Sequence, residues 1–358
     1  MTGRAGRRVQ LPASTARILL VLAAIYLLFG LISPDHVFLT LDNLRNVSIA
    51  AAETLILATG LTFLIVAGQL DLSVGSQLVL GAVAGAAVMH RLDGRPVGLV
   101  LVLGILATLA VTCVYGLVNG LLTVRLRVPS FVVTLGTLGM GLGISQVLTA
   151  AGGSTSQPAP VALADFGLST LAGIPSVVLV AAAVAAVLGL VLANTRFGLR
   201  CYAVGSNADA ARRAGVPAGA VVVRAFVLMG LLSGVAAVVD LARFSSVSVA
   251  THQQDNLTAI AAVIIGGASL YGGRGTLFGT VVGTLIPVVL LQGFVIQNVN
   301  PYWQNVAIGT VLIAAVAVDQ IERTNRRVRT EAAAAGQDDP RSAGSPAEPA
   351  PAQQGVAR

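Results

Sequence analysis

Long apolar runs separated by short polar turns make up most of this chain. They cover residues 18–32, 47–67, 77–89, 97–124, 128–150, 177–193, 218–241, 257–270, 276–292 and 303–318. A helix needs about 20 apolar residues to cross roughly 30 Å of hydrocarbon. The pattern predicts an all-α polytopic membrane protein of about ten transmembrane helices. Two interruptions predict broken helices: residues 68–76, GQLDLSVGS, and Gly272-Gly273-Arg274-Gly275. A faint internal echo links them, since Gly75-Ser76 leads into one run much as Gly275-Thr276 leads into another.

The polar segments fix an orientation. With ten crossings both termini share a side, and the arginines concentrate there. Arg4, Arg7, Arg8, Arg17, Arg125, Arg127, Arg196, Arg200, Arg212, Arg213, Arg224, Arg274, Arg323, Arg326, Arg327 and Arg329 fall on that side, against only Arg45, Arg91, Arg95 and Arg243 opposite. The positive-inside rule makes it the cytoplasm, which predicts a multi-pass plasma (inner) membrane protein with both termini cytoplasmic. A removable signal peptide is the competing reading of the N-terminus, but Ser33-Pro34-Asp35 makes a poor cleavage site. The expected organisation is a cytoplasmic segment at 1–16, a membrane domain at 17–320, and a disordered cytoplasmic tail of Ala, Pro, Gly and Gln at 321–358. Residues 151–175 read as an external loop with a short surface helix.

Composition narrows the function. Hydrophobic residues make up 55% and charged residues 10%, against about 25% charged in soluble domains. The net charge of +7 comes entirely from arginine, because the chain holds no lysine. A phosphate-binding loop and a Schiff base both need a lysine, so neither can be built here. Any nucleotide energy must come from another chain. The basic residues sit on the expected inner side and call for no nucleic acid. Cys113 and Cys201 suggest no disulfide, and His36, His90 and His252 are scattered with no ligand spacing, so no metal or cofactor is expected. Glu53 and Asp240 read as lone carboxylates without a role.

The longest polar stretch between apolar runs is residues 194–217, NTRFGLRCYAVGSNADAARRAGVP. Asn207 can cap a short helix over 208–214, with Asp209 in the first turn, arginines near the last and Gly215 as the stop. A helix this short needs a surface to dock on, and small Ala211 is expected to face a cleft on a partner.

Asp71 is the sharpest single residue of the breaks. It can cap the next helix beside Ser73 and Ser76, or line a path. Thr134, Gly136, Thr137, Gly139, Gly141 and Gly143 give the fifth run a small-residue face, suited to close packing or to a polar pathway. Gln304 and Asn305 can offer donors and acceptors to a hydroxylated substrate, or anchor the interface beside Tyr302 and Trp303.

These residues carry a resemblance. Gly68-Gln69-Leu70-Asp71-Leu72-Ser73-Val74-Gly75-Ser76 is similar to the G-G-I-D-L-S-V-G-S signature of ribose-type permeases, the membrane subunits of ABC importers. Residues 128–137, VPSFVVTLGT, resemble their V-P-x-F-I-x-T-L-G-x. Residues 195–215 resemble their T-x-F-G-x-x-x-Y-A-x-G-x-N-x-x-A-A-x-x-x-G coupling segment, and the likeness runs from about residue 40 to 320. Gln69 departs from the usual glycine, and Asp209 stands where glutamate is usual. The resemblance implies a non-catalytic permease subunit importing a monosaccharide or related polyol. It implies a second permease subunit, an ABC ATPase carrying ATP and magnesium, and an external sugar-binding protein. Arg196, Phe197, Gly198, Tyr202, Gly205, Asn207, Asp209, Ala210, Ala211 and Gly215 would couple to the ATPase. Asp71, Ser73, Gly75, Thr134, Gly136, Thr137 and Gln304 would form the pathway or gate. Branched-chain amino acid and nucleoside permeases share the architecture. A carrier coupled to protons or sodium would instead use Asp71, Glu53 or Asp240.

Overall fold

The computed structural model describes residues 13–149, 157–248, 252, 254–300, 302–304, 306–314, 316–317 and 320. The side chains of 13–15, 157 and 158 are outside that description, as are the N-terminal arginines, Asn305 and the expected tail. One compact unit covers residues 1–316, and 317–358 form a second, of which only Ala317 and Gln320 are described.

The helices are α1 (Ala13–Ile32), α2 (Leu41–Val66), α3 (Val74–Arg91), α4 (Val97–Arg125), α5 (Ser130–Thr149), α6 (Val161–Leu168), α7 (Ser176–Asn194), α8 (Arg196–Ser206), α9 (Ala208–Arg213), α10 (Ala218–Phe244), α11 (Asp255–Ile265) and α12 (Leu277–Ile296). Residues 302–304, 306–314 and 316–317 are also helical. Two minimal ladders interrupt the all-α pattern: Gln157–Pro158 pairs with Ser246–Val247, and Thr170–Leu171 with Ile174–Pro175. Among the described residues, six helices (α2, α4, α5, α7, α10 and α12) are long and apolar enough to cross a membrane by length and composition.

Burial separates the core helices from the shell. The apolar windows of α2 and α10 are 72% and 61% buried, against 22% for α4, α5 and α7. The shell helices therefore keep broad apolar faces outward, as lipid contact requires. Between apolar helices in lipid, close packing supplies the attraction. The α4–α10 contact shows how: a Cβ on Gly116 would lie 2.3 Å from Phe226 O, and one on Gly230 would lie 2.2 Å from Thr112 O. Backbone meets backbone there, so these glycines set the spacing. The expected surface helix is α6; its Gly167 lies against Ala242 O of α10.

The expected echo of Gly75-Ser76 in Gly275-Thr276 does not appear in the fold. Gly75 and Ser76 are inside the first turn of α3, whereas Thr276 is the N-cap of α12. The helices before the two breaks share a helix ending that α9 and α12 also use. At the end of α2, Gly68 (φ +74°) donates to Ile65 O and Gln69 N to Leu64 O. At the end of α11, Gly267 (φ +89°) donates to Ile264 O and Ala268 N to Val263 O. This paired closure needs a left-handed residue that glycine alone adopts without a Cβ penalty.

Candidate functional site

The two breaks and the long polar stretch converge at one end of the bundle. Val66 O, the last carbonyl of α2, accepts from Gly273 N at 2.8 Å. A Cβ on Gly205 in α8 would lie 1.9 Å from that carbonyl and 2.7 Å from Gly273 N. One on Gly272 would lie 2.7 Å from Gly205 O and 2.9 Å from Gly68 Cα. Tyr202 Oη donates to Gly275 O at 2.6 Å, and Phe197 stacks on Phe63 of α2 with centroids 5.8 Å apart. The helix α8 is thus clamped to both breaks through Gly68, Gly205, Gly272 and Gly273. In sequence Gly68, Gly272 and Gly273 mark the two breaks and Gly205 belongs to the coupling segment. Their isolated Gly signals were legible; their convergence was not.

This junction sorts the coupling candidates. Phe197, Gly198, Tyr202, Gly205 and Ala211 turn inward, while Arg196, Asn207, Asp209, Ala210 and Gly215 are exposed. Asn207 Oδ1 accepts from Ala210 N at 2.9 Å, as a cap should. The end of α9 closes with Gly215 N on Arg212 O and Val216 N on Ala211 O, each at 3.0 Å. Ala211 requires a correction. Only 6% exposed, it packs into the chain's own core and presents nothing to a partner cleft. Its helix has one inward position per turn, and Ala211 takes it; Asp209, paired with Arg212 at 3.3 Å, stands on the free face.

Cys201 lies on the inward face of α8 with 0% exposure, and burial pushes its thiol up to about 12. The thiolate needed for reaction is then scarce at neutral pH. N-ethylmaleimide at pH 7.5 should leave Cys201 unmodified in the folded protein and label it after denaturation, as read by peptide mass spectrometry. Labelling at equal rates in both states would contradict the docked position of α8.

From the junction, residues 69–73 run alongside α5. Leu70 N donates to Ser130 Oγ at 3.0 Å and Leu72 N to Thr134 Oγ1 at 3.1 Å, while Asn256 Nδ2 of α11 donates to Leu72 O at 3.1 Å. Backbone groups freed by a break inside an apolar bundle need such partners. Asp71 is fully buried at the centre. Its Oδ1 accepts from Ser73 N at 2.8 Å and Ser73 Oγ at 2.6 Å, and its Oδ2 from Gln77 Nε2 at 2.8 Å. Asn119 Nδ2 of α4 donates to Ser73 Oγ at 2.9 Å. Asp71 therefore holds the turn into α3, the capping role rather than an exposed position on a path.

The other gate candidates divide. Ser73 and Thr134 belong to the Asp71 network, and Thr137 O accepts from Tyr115 Oη. A Cβ on Gly75 would meet His252 O at 2.4 Å, so that glycine serves close approach. In α5, Thr134, Thr137 and Gly141 face inward, while a Cβ on Gly136, Gly139 or Gly143 would meet nothing within 4 Å. The expected small-residue face is thus two faces, one packed and one open. Gln304 is half-buried in the helical segment 302–304 and makes no hydrogen bond to the Asp71 network among the described residues.

A second correction concerns Glu53, Asp240 and His252, which are neither lone nor scattered. His252 Nδ1 lies 3.5 Å from Glu53 Oε1, and its Nε2 lies 3.3 Å from Asp240 Oδ2.

The family described as "Branched-chain amino acid transport system / permease component" matches residues 43–316. The chain belongs to that permease family. The galactose/methyl galactoside import permease protein of Escherichia coli (strain K12) is 32% identical over 329 residues, 87% of this chain and 94% of that protein. The ribose import permease protein of the same strain is 34% identical over 306 residues, covering 84% and 91%. The D-allose transport system permease protein of the same strain is 32% identical over 305 residues, covering 84% and 90%. No solved structure gives a significant match. The permease is a multi-pass membrane protein and a transport component, not an enzyme.

Proposed function

We propose that this permease is the membrane-spanning subunit of an ATP-driven importer of monosaccharides. The observation that carries the reading is the near full-length similarity to permeases named for galactose, ribose and allose. The reading counts ten crossings, adding α1, α3, α11 and the helical residues from 302 to the six long helices, and takes the junction end as cytoplasmic on the arginine bias of Arg125, Arg196, Arg212 and Arg274. In this reading the chain lies in the plasma (inner) membrane with both termini inside.

In this reading the exposed faces of α8 and α9 receive an ATPase carrying ATP and magnesium, and the inward faces pass its movement to the two breaks. An external sugar-binding protein delivers substrate, and the open glycine stripe of α5 faces the pathway shared with a second permease subunit. ATP binding favours one opening of that pathway only by differential affinity for the two states. Asp71 holds the gate segment in shape, and Thr134 secures it to α5.

The test is uptake of labelled galactose, ribose, allose and leucine by cells expressing this chain with the ATPase and binding protein encoded beside it. Uptake of a monosaccharide is expected. It should be lost when the ATPase's phosphate-loop lysine is replaced, and should survive a protonophore for as long as cellular ATP is maintained. Uptake of leucine alone would favour the amino acid branch that the family's description names. Uptake that follows the proton gradient would refute the ATP-driven reading.

A further inference from the structure

Three helices and a loop bring four acidic and imidazole groups to one buried point beside the start of α3. Glu53 lies midway along α2, Asp240 near the end of α10, His252 in the loop that follows, and Asp255 at the first turn of α11. One ligand atom from each of Glu53, Asp240 and His252 can be chosen so that all lie within 4.8 Å of one another. Donors around a tetrahedral zinc at about 2.1 Å stand roughly 3.4 Å apart, so side-chain rotations on the order of 1 Å would close the set.

Two features of this ion-paired cluster also suit a bound ion. Asp240 is 1% exposed, yet among the described residues neither of its carboxylate oxygens receives a hydrogen bond, although Oδ2 lies 3.3 Å from His252 Nε2. A carboxylate so placed carries a large desolvation cost unless a cation meets it. The imidazole is also oriented as a ligand would be. His252 Nδ1 lies 2.6 Å from Asp255 Oδ2, so when an ion takes Nε2 the ring's remaining proton has an acceptor on the Asp255 side. A carboxylate behind a histidine that fixes its tautomer is the usual outer support of a metal-bound imidazole.

The charge count agrees. Among the described residues, Glu53, Asp240 and Asp255 face one arginine in an ion pair, Arg243, whose Nη1 lies 3.7 Å from Glu53 Oε2. With His252 neutral, as an Nε2 ligand must be, the group sums to −2 (three negative, one positive), which a divalent ion balances.

We propose that Glu53, Asp240 and His252 bind a divalent transition-metal cation of the zinc or manganese class, with Asp255 orienting the histidine. One imidazole nitrogen with two carboxylates suits these ions better than calcium or magnesium. The ion would join α2 and α10 to the loop ahead of α11. That loop packs on the break, with His252 O against Gly75 and Asn256 on Leu72 O. The site thus clamps the gate segment from the side opposite the glycine junction.

The full chain should be purified in detergent through a tag free of histidine and dialysed against chelator. It is then loaded with zinc or manganese chloride and desalted before metal analysis by mass spectrometry. About one ion per chain is expected, with a rise in melting temperature on loading. Asp240→Asn and His252→Gln should each weaken binding at least tenfold, and Asp255→Asn by about 10- to 100-fold, while size-exclusion profiles stay monodisperse. No retained ion and no thermal shift in the wild-type chain would overturn the proposal, leaving a protonated His252 in an ion-pair network. Stoichiometric binding unchanged in all three variants would overturn it equally, by placing the ion elsewhere.

Discussion

Replacing Asp71 by leucine is expected to abolish uptake, whereas Asp71→Asn should retain it within several-fold. Leucine removes both acceptor oxygens and leaves Ser73 N and Gln77 Nε2 buried without their partner. Each orphaned buried donor costs about 1–3 kcal/mol, so the turn into α3 loses roughly 2–6 kcal/mol. That is a large share of the roughly 5–15 kcal/mol that holds a folded protein together. Asparagine keeps one acceptor for Ser73. Its amide can donate to Gln77 Oε1, which has no partner in the wild-type chain, once the Gln77 amide turns over. Initial uptake rates of a labelled monosaccharide, with the melting temperature of each purified variant, check this. If both variants lost uptake equally while keeping wild-type melting, the charge itself would be in use, as in an ion-coupled carrier.

The second large effect is expected at Gly205. Alanine there would put a methyl group 1.9 Å from Val66 O and 2.7 Å from Gly273 N, both backbone atoms that cannot rotate away. A carbon needs about 3.5 Å, so α8 must lift from the breaks by more than an ångström. The exposed partner face, with Arg196, Asp209 and Ala210, is untouched. Gly205→Ala should therefore still reach the membrane and co-purify with the ATPase, while substrate-stimulated hydrolysis falls by roughly 5- to 150-fold, the span of ordinary coupling energies. Asp209→Arg should do the reverse, weakening co-purification without disturbing the junction. Wild-type stimulation in Gly205→Ala would reduce the four-glycine contact to simple filling.

The membrane class, the Asn207 cap and the Gly215 stop were legible because each depends on residues close in sequence. The same holds for Asp71: an acid two residues before Ser73 is a local capping pattern, and the structure draws that turn. The facing of Ala211 was not legible, since a helix of six residues shows too little periodicity to separate an inner from an outer side. In α5 the spacing did hold the answer. Thr134, Thr137 and Gly141 follow helical steps of three and four, whereas Gly136, Gly139 and Gly143 follow a second stripe. Glu53, Asp240 and His252 sit on separate elements, and no pattern of charge along the chain records that the fold joins them. The junction of Gly68, Gly205, Gly272 and Gly273 was hidden for the same reason. Ten crossings follow from hydropathy only if a half-length helix such as α11, with 11 residues, is counted as one.

The glycine junction also has a mechanical meaning. A joint built of long side chains is compliant: rotamers yield, and a small displacement on one side is absorbed before it reaches the other. Where Gly205 of α8 meets Val66 and Gly273, and Gly272 meets Gly205 and Gly68, no side chain stands between, and those contacts are backbone on backbone or a glycine Cα. Packed interiors of this kind have low compressibility. A shift of α8 by an ångström arrives at the breaks as a shift of about an ångström, and the linkage behaves as a rigid lever with almost no backlash.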